Sequence, residues 1–152
     1  MRTNTEKISA KVVAAIVATG LMSFCGVIVE TSMNVTFPIL MREFSITTNQ
    51  VQWMTSIYLL LVATIVPLSA ILKSSYRTRT LFTVANLLFI GGIMIDALAP
   101  SFGLLLVGRA IQGIGTGIAL PLMFNIIMEQ VPTSKIGFMM GIGNLITGVA
   151  PA

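Results

Sequence analysis

The run Leu106-Val-Gly-Arg109-Ala-Ile-Gln112-Gly113-Ile-Gly115-Thr116-Gly117 places one arginine inside an otherwise apolar stretch. Gln112, Gly113 and Thr116 follow Arg109 at spacings of three, four and seven, so the four share one helical face. A guanidinium in hydrocarbon costs about 2.5–3.5 kcal/mol on insertion scales, so this one is expected to face a polar interior or a pathway rather than lipid. Such a stripe either lines a route for a solute or locks helices together through carbonyls or a carboxylate. Gly113 and Gly117, four apart, let a neighbouring helix backbone come close.

A second polar stripe lies nearer the N-terminus. Glu30 and Asn34 are four apart on one face, with Ser23 and Gly26 further along it. A carboxyl withdrawn from water can load and release protons near physiological pH unless a cation such as Arg109 offsets the effect; a hydrated place at the mouth of the helix is the alternative. Pro38 is expected to bend or end this helix near its outer end. Further on come Trp53, Thr55, Ser56, Tyr58, Thr64, Pro67 and Ser69. Asn34, Trp53, Tyr58, Gln112 and Thr116 are the candidates for lining a cavity. Trp53 suits an interfacial belt equally well, and hydroxyls in apolar helices often bond back to their own backbone. The frequent methionines fit a soft, adaptable pocket or plain packing.

The elements that must position these residues are membrane helices. Charged residues are 9% of the chain and hydrophobic ones 55%, with no histidine, whereas a soluble domain carries about 25% charged residues. Apolar runs recur at the twenty-residue scale of a bilayer crossing, over residues 12–40, 51–72, 81–98, 102–127 and 136–152. They make an all-α, multi-span bundle over 12–152, preceded by a tail of residues 1–11. The short links favour antiparallel neighbours. Thr47-Thr48-Asn49-Gln50 reads as a helix cap, Pro100 and Ser101 as an outer turn, and Pro132, Thr133 and Ser134 as an inner one.

Basic residues sort by side. Arg2, Lys7 and Lys11 precede the first run, Lys73, Arg77 and Arg79 fill the link after the second, and Lys135 follows the fourth; the opposite links hold Arg42 beside Glu43. The positive-inside rule then predicts a cytoplasmic N-terminus, and a nucleic-acid partner is not expected. The link carrying Lys73, Arg77 and Arg79 serves as a topology anchor, an anionic-lipid contact or a conformational latch. A signal peptide is disfavoured by the length of the first run and the spans that follow. Cys25 is the only cysteine and is expected to pack within the first span. No nucleophile–base pair, metal-ligand cluster or phosphate loop is present, so neither an enzyme nor a bound cofactor or metal is expected. At about 1.5 Å per residue the last run covers only about 26 Å of a core of about 30 Å, which predicts a fragment, the product of a truncated gene or part of a longer chain.

Four stretches together resemble the N-terminal portion of a major facilitator superfamily transporter, most similar to the drug:proton antiporters with fourteen predicted helices, the multidrug and lincomycin exporters among them. They are Glu30-Thr-Ser-Met-Asn34-Val-Thr-Phe-Pro38; the order Trp53, Tyr58, Leu60 and Pro67-Leu-Ser; Leu106 to Gly117; and Gly141-Ile-Gly-Asn-Leu-Ile-Thr-Gly148-Val-Ala-Pro151. Glu30 sits one position later than the acidic residue of most relatives, where lincomycin-exporter-like members also place a glutamate. In the inner link Ala70, Ser74 and Arg77 replace the usual glycine, aspartate and second glycine, while Arg79 keeps part of the motif. The glycine-rich motif breaks off before its Gly-Pro.

The resemblance implies a cell-membrane exporter, in a bacterial cytoplasmic membrane, driven by the proton gradient. Glu30 and Arg109 would couple to protons, and Gly113, Gly117, Gly141, Gly148 and Pro151 would serve packing and conformational change. The partners implied are membrane lipid, a small amphipathic or cationic drug and a C-terminal half. Alone the chain is not expected to transport. Two rivals stand beside this reading: a small standalone membrane protein acting by self-association or partner binding, and a superfamily permease for another solute.

Overall fold

The computed structural model describes residues 8–149. Arg2, Lys7 and Pro151, which enter the expectations above, lie outside the described residues. Five helices follow one another: α1 (Ala10–Glu43), α2 (Thr48–Ser75), α3 (Thr78–Ala97), α4 (Phe102–Gln130) and α5 (Thr133–Val149). Four of them, α1 to α4, are long and apolar enough to cross a membrane. The fold is all-α, as expected, and the chain is a membrane protein.

α1 and α2 overrun their apolar runs at both ends, α3 at its start and α4 at its end, because polar residues extend them. At the start of α2 a capping box replaces the missing helical partners: the Gln50 N–H donates to Thr47 Oγ1 at 3.4 Å, and the Thr47 N–H donates to Gln50 Oε1 at 2.9 Å. The helix therefore starts at Thr48 rather than Val51. Pro38, expected to bend or end α1 near its outer end, lies inside the helix, which continues to Glu43. Proline removes one backbone bond. Around it, Met33, Phe37, Leu40 and Met41 pack against Val51, Met54 and Leu105, and that cluster holds the last turns in place.

α4 is the centre of the bundle, packing against all four other helices, while α2 and α3 barely meet. Its glycines explain why. A Cβ on Gly113 would come within 2.9 Å of the Tyr58 carbonyl, and one on Gly117 within 2.8 Å of Ile65 Cβ, so α2 lies directly on this face. Two apolar clusters cap the bundle. One joins Ile16 and Met22 of α1 to Leu81, Ala85 and Phe89 of α3 and to the C-terminal half of α4. The other lies at the opposite end, around Leu40, Val51, Met54 and Leu105. The outer faces carry exposed Leu21, Val35, Leu60, Ile71, Leu87 and Phe138, the composition of a lipid-facing surface.

Candidate functional site

Between the two clusters lies a polar layer built on α4. Arg109 stands seven residues past Phe102, about 10 Å into the helix, and is 0% exposed. Its guanidinium carbon lies 4.5 Å from the centroid of the Tyr58 ring on α2, and its Nη1 donates to Gln112 Oε1 at 2.9 Å. Nε and Nη2 have no hydrogen-bond partner among the described residues. A fully buried cation with unused donors is costly to leave alone, and such donors mark a place where an anionic or polar group can be received.

The layer extends from α4 to α1, α2 and α3. Gln112 Nε2 donates to Asp96 Oδ2 on α3 at 2.6 Å, and Tyr58 Oη donates to Thr116 Oγ1 at 3.2 Å. Gly26 of α1 faces Thr116 closely enough that a Cβ there would lie 3.0 Å from the Thr116 hydroxyl. Glu30, one turn further along α1, is half-buried and interacts with Arg109 through charge. Arg109, Gln112, Thr116, Tyr58 and Glu30 thus converge from three helices.

The remaining candidates fall elsewhere. Asn34 is exposed and accepts from Thr55 Oγ1 at 3.5 Å. Trp53 is 61% exposed in the second turn of α2, beside Asn49, Gln52 and Ser56. Thr64 and Ser69 bond back to the Leu60 and Val66 carbonyls, the local alternative for such hydroxyls. Gly141 and Gly148 have open space where a Cβ would stand and pack against nothing among the described residues; the α5 glycine in contact is Gly143, beside Met123. In the inner link Lys73 pairs with Glu129, tying α2 to the end of α4, while Arg77 and Arg79 are exposed at the start of α3.

Asp96 is absent from the residues singled out in the sequence. It sits in the last turn of α3, two residues before Leu98 and close to a Pro-Ser turn, where an acid reads as solvated. A signal existed. Gly92 precedes Asp96 by four and Gly108 precedes Gln112 by four, so two successive spans each carry a small residue and a polar one on a single face. In the fold these faces meet: a Cβ on Gly92 would lie 2.7 Å from the Gly108 carbonyl, and one on Gly108 would overlap Asp96 Oδ1.

Residues 19–152 match the Major Facilitator Superfamily. The chain is 44% identical over 142 residues to the lincomycin resistance protein LmrB of Bacillus subtilis, covering 93% of this chain and 30% of that protein. It is 41% identical to LmrB of Listeria monocytogenes over 138 residues, with 90% and 29% covered. To the uncharacterised MFS-type transporter YhcA of Bacillus subtilis it is 35% identical over 152 residues, with 100% and 29% covered. The chain therefore spans about 30% of the length of these relatives.

Proposed function

This chain belongs to the major facilitator superfamily, and we propose that it forms the N-terminal part of a proton-coupled exporter of amphipathic or cationic drugs. The observation that carries this reading is Arg109: buried in a membrane helix, stacked on Tyr58, with unused donors and a carboxylate on a neighbouring helix within electrostatic reach. The kinship with lincomycin resistance proteins supports the drug class.

In this mechanism Glu30 and Arg109 share one electrostatic site. A proton on Glu30 leaves Arg109 to its hydrogen bond with Gln112 within α4. Loss of that proton creates a carboxylate which Arg109 attracts and which a cationic solute can displace it from. Proton and solute thereby compete for one negative charge, the minimal condition for exchange. Alternating access would come from rocking of this bundle against a second one about the polar layer. The N-terminus lies on the cytoplasmic side, because Lys11, Lys73, Arg77, Arg79 and Lys135 gather at one end of the bundle. Without the second bundle the pathway has one wall, so these 152 residues alone do not transport.

The test joins the chain to whatever reading frame follows Ala152, expresses it in an efflux-deficient bacterium and measures ethidium export across an imposed proton gradient, with and without Arg109→Ala. Proton-dependent export that the substitution abolishes is expected. Export indifferent to the gradient removes the coupling claim, and a stable product that exports nothing points to a carrier of another solute.

A further inference from the structure

An ionised carboxylate only accepts hydrogen bonds, a guanidinium only donates them, and a primary amide does both from its two ends. Gln112 stands between Asp96 and Arg109, and one orientation of its amide satisfies both: Nε2 toward Asp96 at 2.6 Å, Oε1 toward Arg109 at 2.9 Å. The carboxylate and the guanidinium hold the amide in the same orientation from its two ends. The close approach of α3 to α4 at Gly92 and Gly108 brings Asp96 within reach.

The other Asp96 oxygen, Oδ1, is buried without a hydrogen-bond partner among the described residues, so no competing donor ties the acid elsewhere. The charged group that acts on Asp96 is Arg109 from α4, and Arg109 in turn interacts with Glu30 from α1 and Tyr58 from α2. Resting on the exporter reading above, we propose that Asp96 is a positioning residue of the coupling site, acting through the Gln112 amide to hold the Arg109 guanidinium against Tyr58 and within reach of Glu30. It touches no transported solute in this role. Its removal changes where Arg109 stands when Glu30 exchanges its proton.

Exchanging the two partners tests this. Asp96→Asn replaces an acceptor-only partner with one that can also donate, leaving the orientation of the Gln112 amide to Arg109 alone, and Gln112→Glu sets two carboxylates side by side. The double variant restores the match: the introduced amide donates to the introduced carboxylate, which accepts from Arg109. The chain with its continuing reading frame is assayed for ethidium export over a range of external pH, and the purified proteins are melted in detergent. Each single variant is expected to lower kcat by about tenfold with little change in the ethidium KM, and the double to recover most of that loss with a displaced pH profile. An Asp96→Asn variant with wild-type rate and pH profile overturns the proposal, as does a double variant no better than the worse single one. If the wild type exports no ethidium at any pH, the exporter reading fails and the melting data decide the positioning claim. Recovery of the melting temperature in the double variant supports it, and no recovery overturns it.

Discussion

Tyr58 meets two residues of α4 at once: its ring face covers the Arg109 guanidinium at 4.5 Å, and its hydroxyl donates to Thr116 at 3.2 Å. The two α4 residues are seven apart, two helical turns, and one tyrosine spans them because Gly113 between them lets the α2 backbone approach. A cation over an aromatic face is worth about 2 kcal/mol or more when desolvated. Neutral hydroxyl–hydroxyl bonds contribute about 1 kcal/mol.

These unequal magnitudes give the first prediction. Tyr58→Phe keeps the ring and loses only the hydroxyl bond, so it is expected to cost the lesser amount and leave proton-dependent export within a few-fold of wild type. Tyr58→Leu removes the π-face from a buried arginine and is expected to lower both melting temperature and export far more. Comparing the two in one melting and ethidium-export series checks the order; equal losses would mean that the hydroxyl, and not the stack, holds the site.

The glycines sort into two classes that a stability series separates. Gly113→Ala forces a methyl to within 2.9 Å of the Tyr58 carbonyl, a contact that moves one backbone away from another. Small residues at such crossings drive helix association in membranes, so this substitution is expected to lower the melting temperature and loosen α2 from α4. Gly141→Ala adds a methyl in open space and is expected to be neutral within about 0.5 kcal/mol. Crosslinking between cysteines placed on α2 and α4 reports the separation directly.

The contrast between those glycines shows what was legible in the sequence. Apolar runs of bilayer length determined the helices, and the spacing of Arg109, Gln112 and Thr116 placed them on one face because helical periodicity is local. Which faces meet is not local. Gly141 and Gly113 look alike in one dimension, and only the crossing of α2 over α4 distinguishes them. Asp96 was obscured for the same reason: its partner Gln112 is sixteen residues away on the next helix, across a turn that reads as solvated. Past Pro38 the helix runs on to Glu43, where the packing of Leu40 against Val51 and Met54 outweighs a lost backbone bond.

At the basic end, Lys73 and Glu129 join α2 to α4, with the lysine side chain 12% exposed and the glutamate 58%. A pair this open is worth about 0–1 kcal/mol and is screened by salt. Glu129→Gln is therefore expected to lower the melting temperature slightly at low ionic strength and not at all at high ionic strength. Lys73→Glu, which sets two like charges together, is expected to cost more and to be repaired by Glu129→Lys. Melting of the four combinations at two salt concentrations measures the coupling; a pair whose coupling is indifferent to salt would have to be more enclosed than the exposure of Glu129 allows.

Arg109→Lys keeps the charge and loses the shape. The guanidinium is a flat fork whose central carbon lies over the Tyr58 ring while Nη1 donates to Gln112. An ammonium is a compact, strongly hydrated point charge, and a lysine at this depth cannot cover the ring and reach the amide in the same geometry. It is also far easier to deprotonate when buried, which removes the charge that Glu30 answers to. The variant is expected to insert and to melt closer to wild type than Arg109→Ala does, yet to lose proton-dependent ethidium export by about tenfold or more. Export rate normalised to membrane protein, measured alongside the melting temperature, separates the two quantities. A lysine variant exporting at the wild-type rate would mean that charge alone suffices at this position and that the planar contacts with Tyr58 and Gln112 serve only to pack the helices.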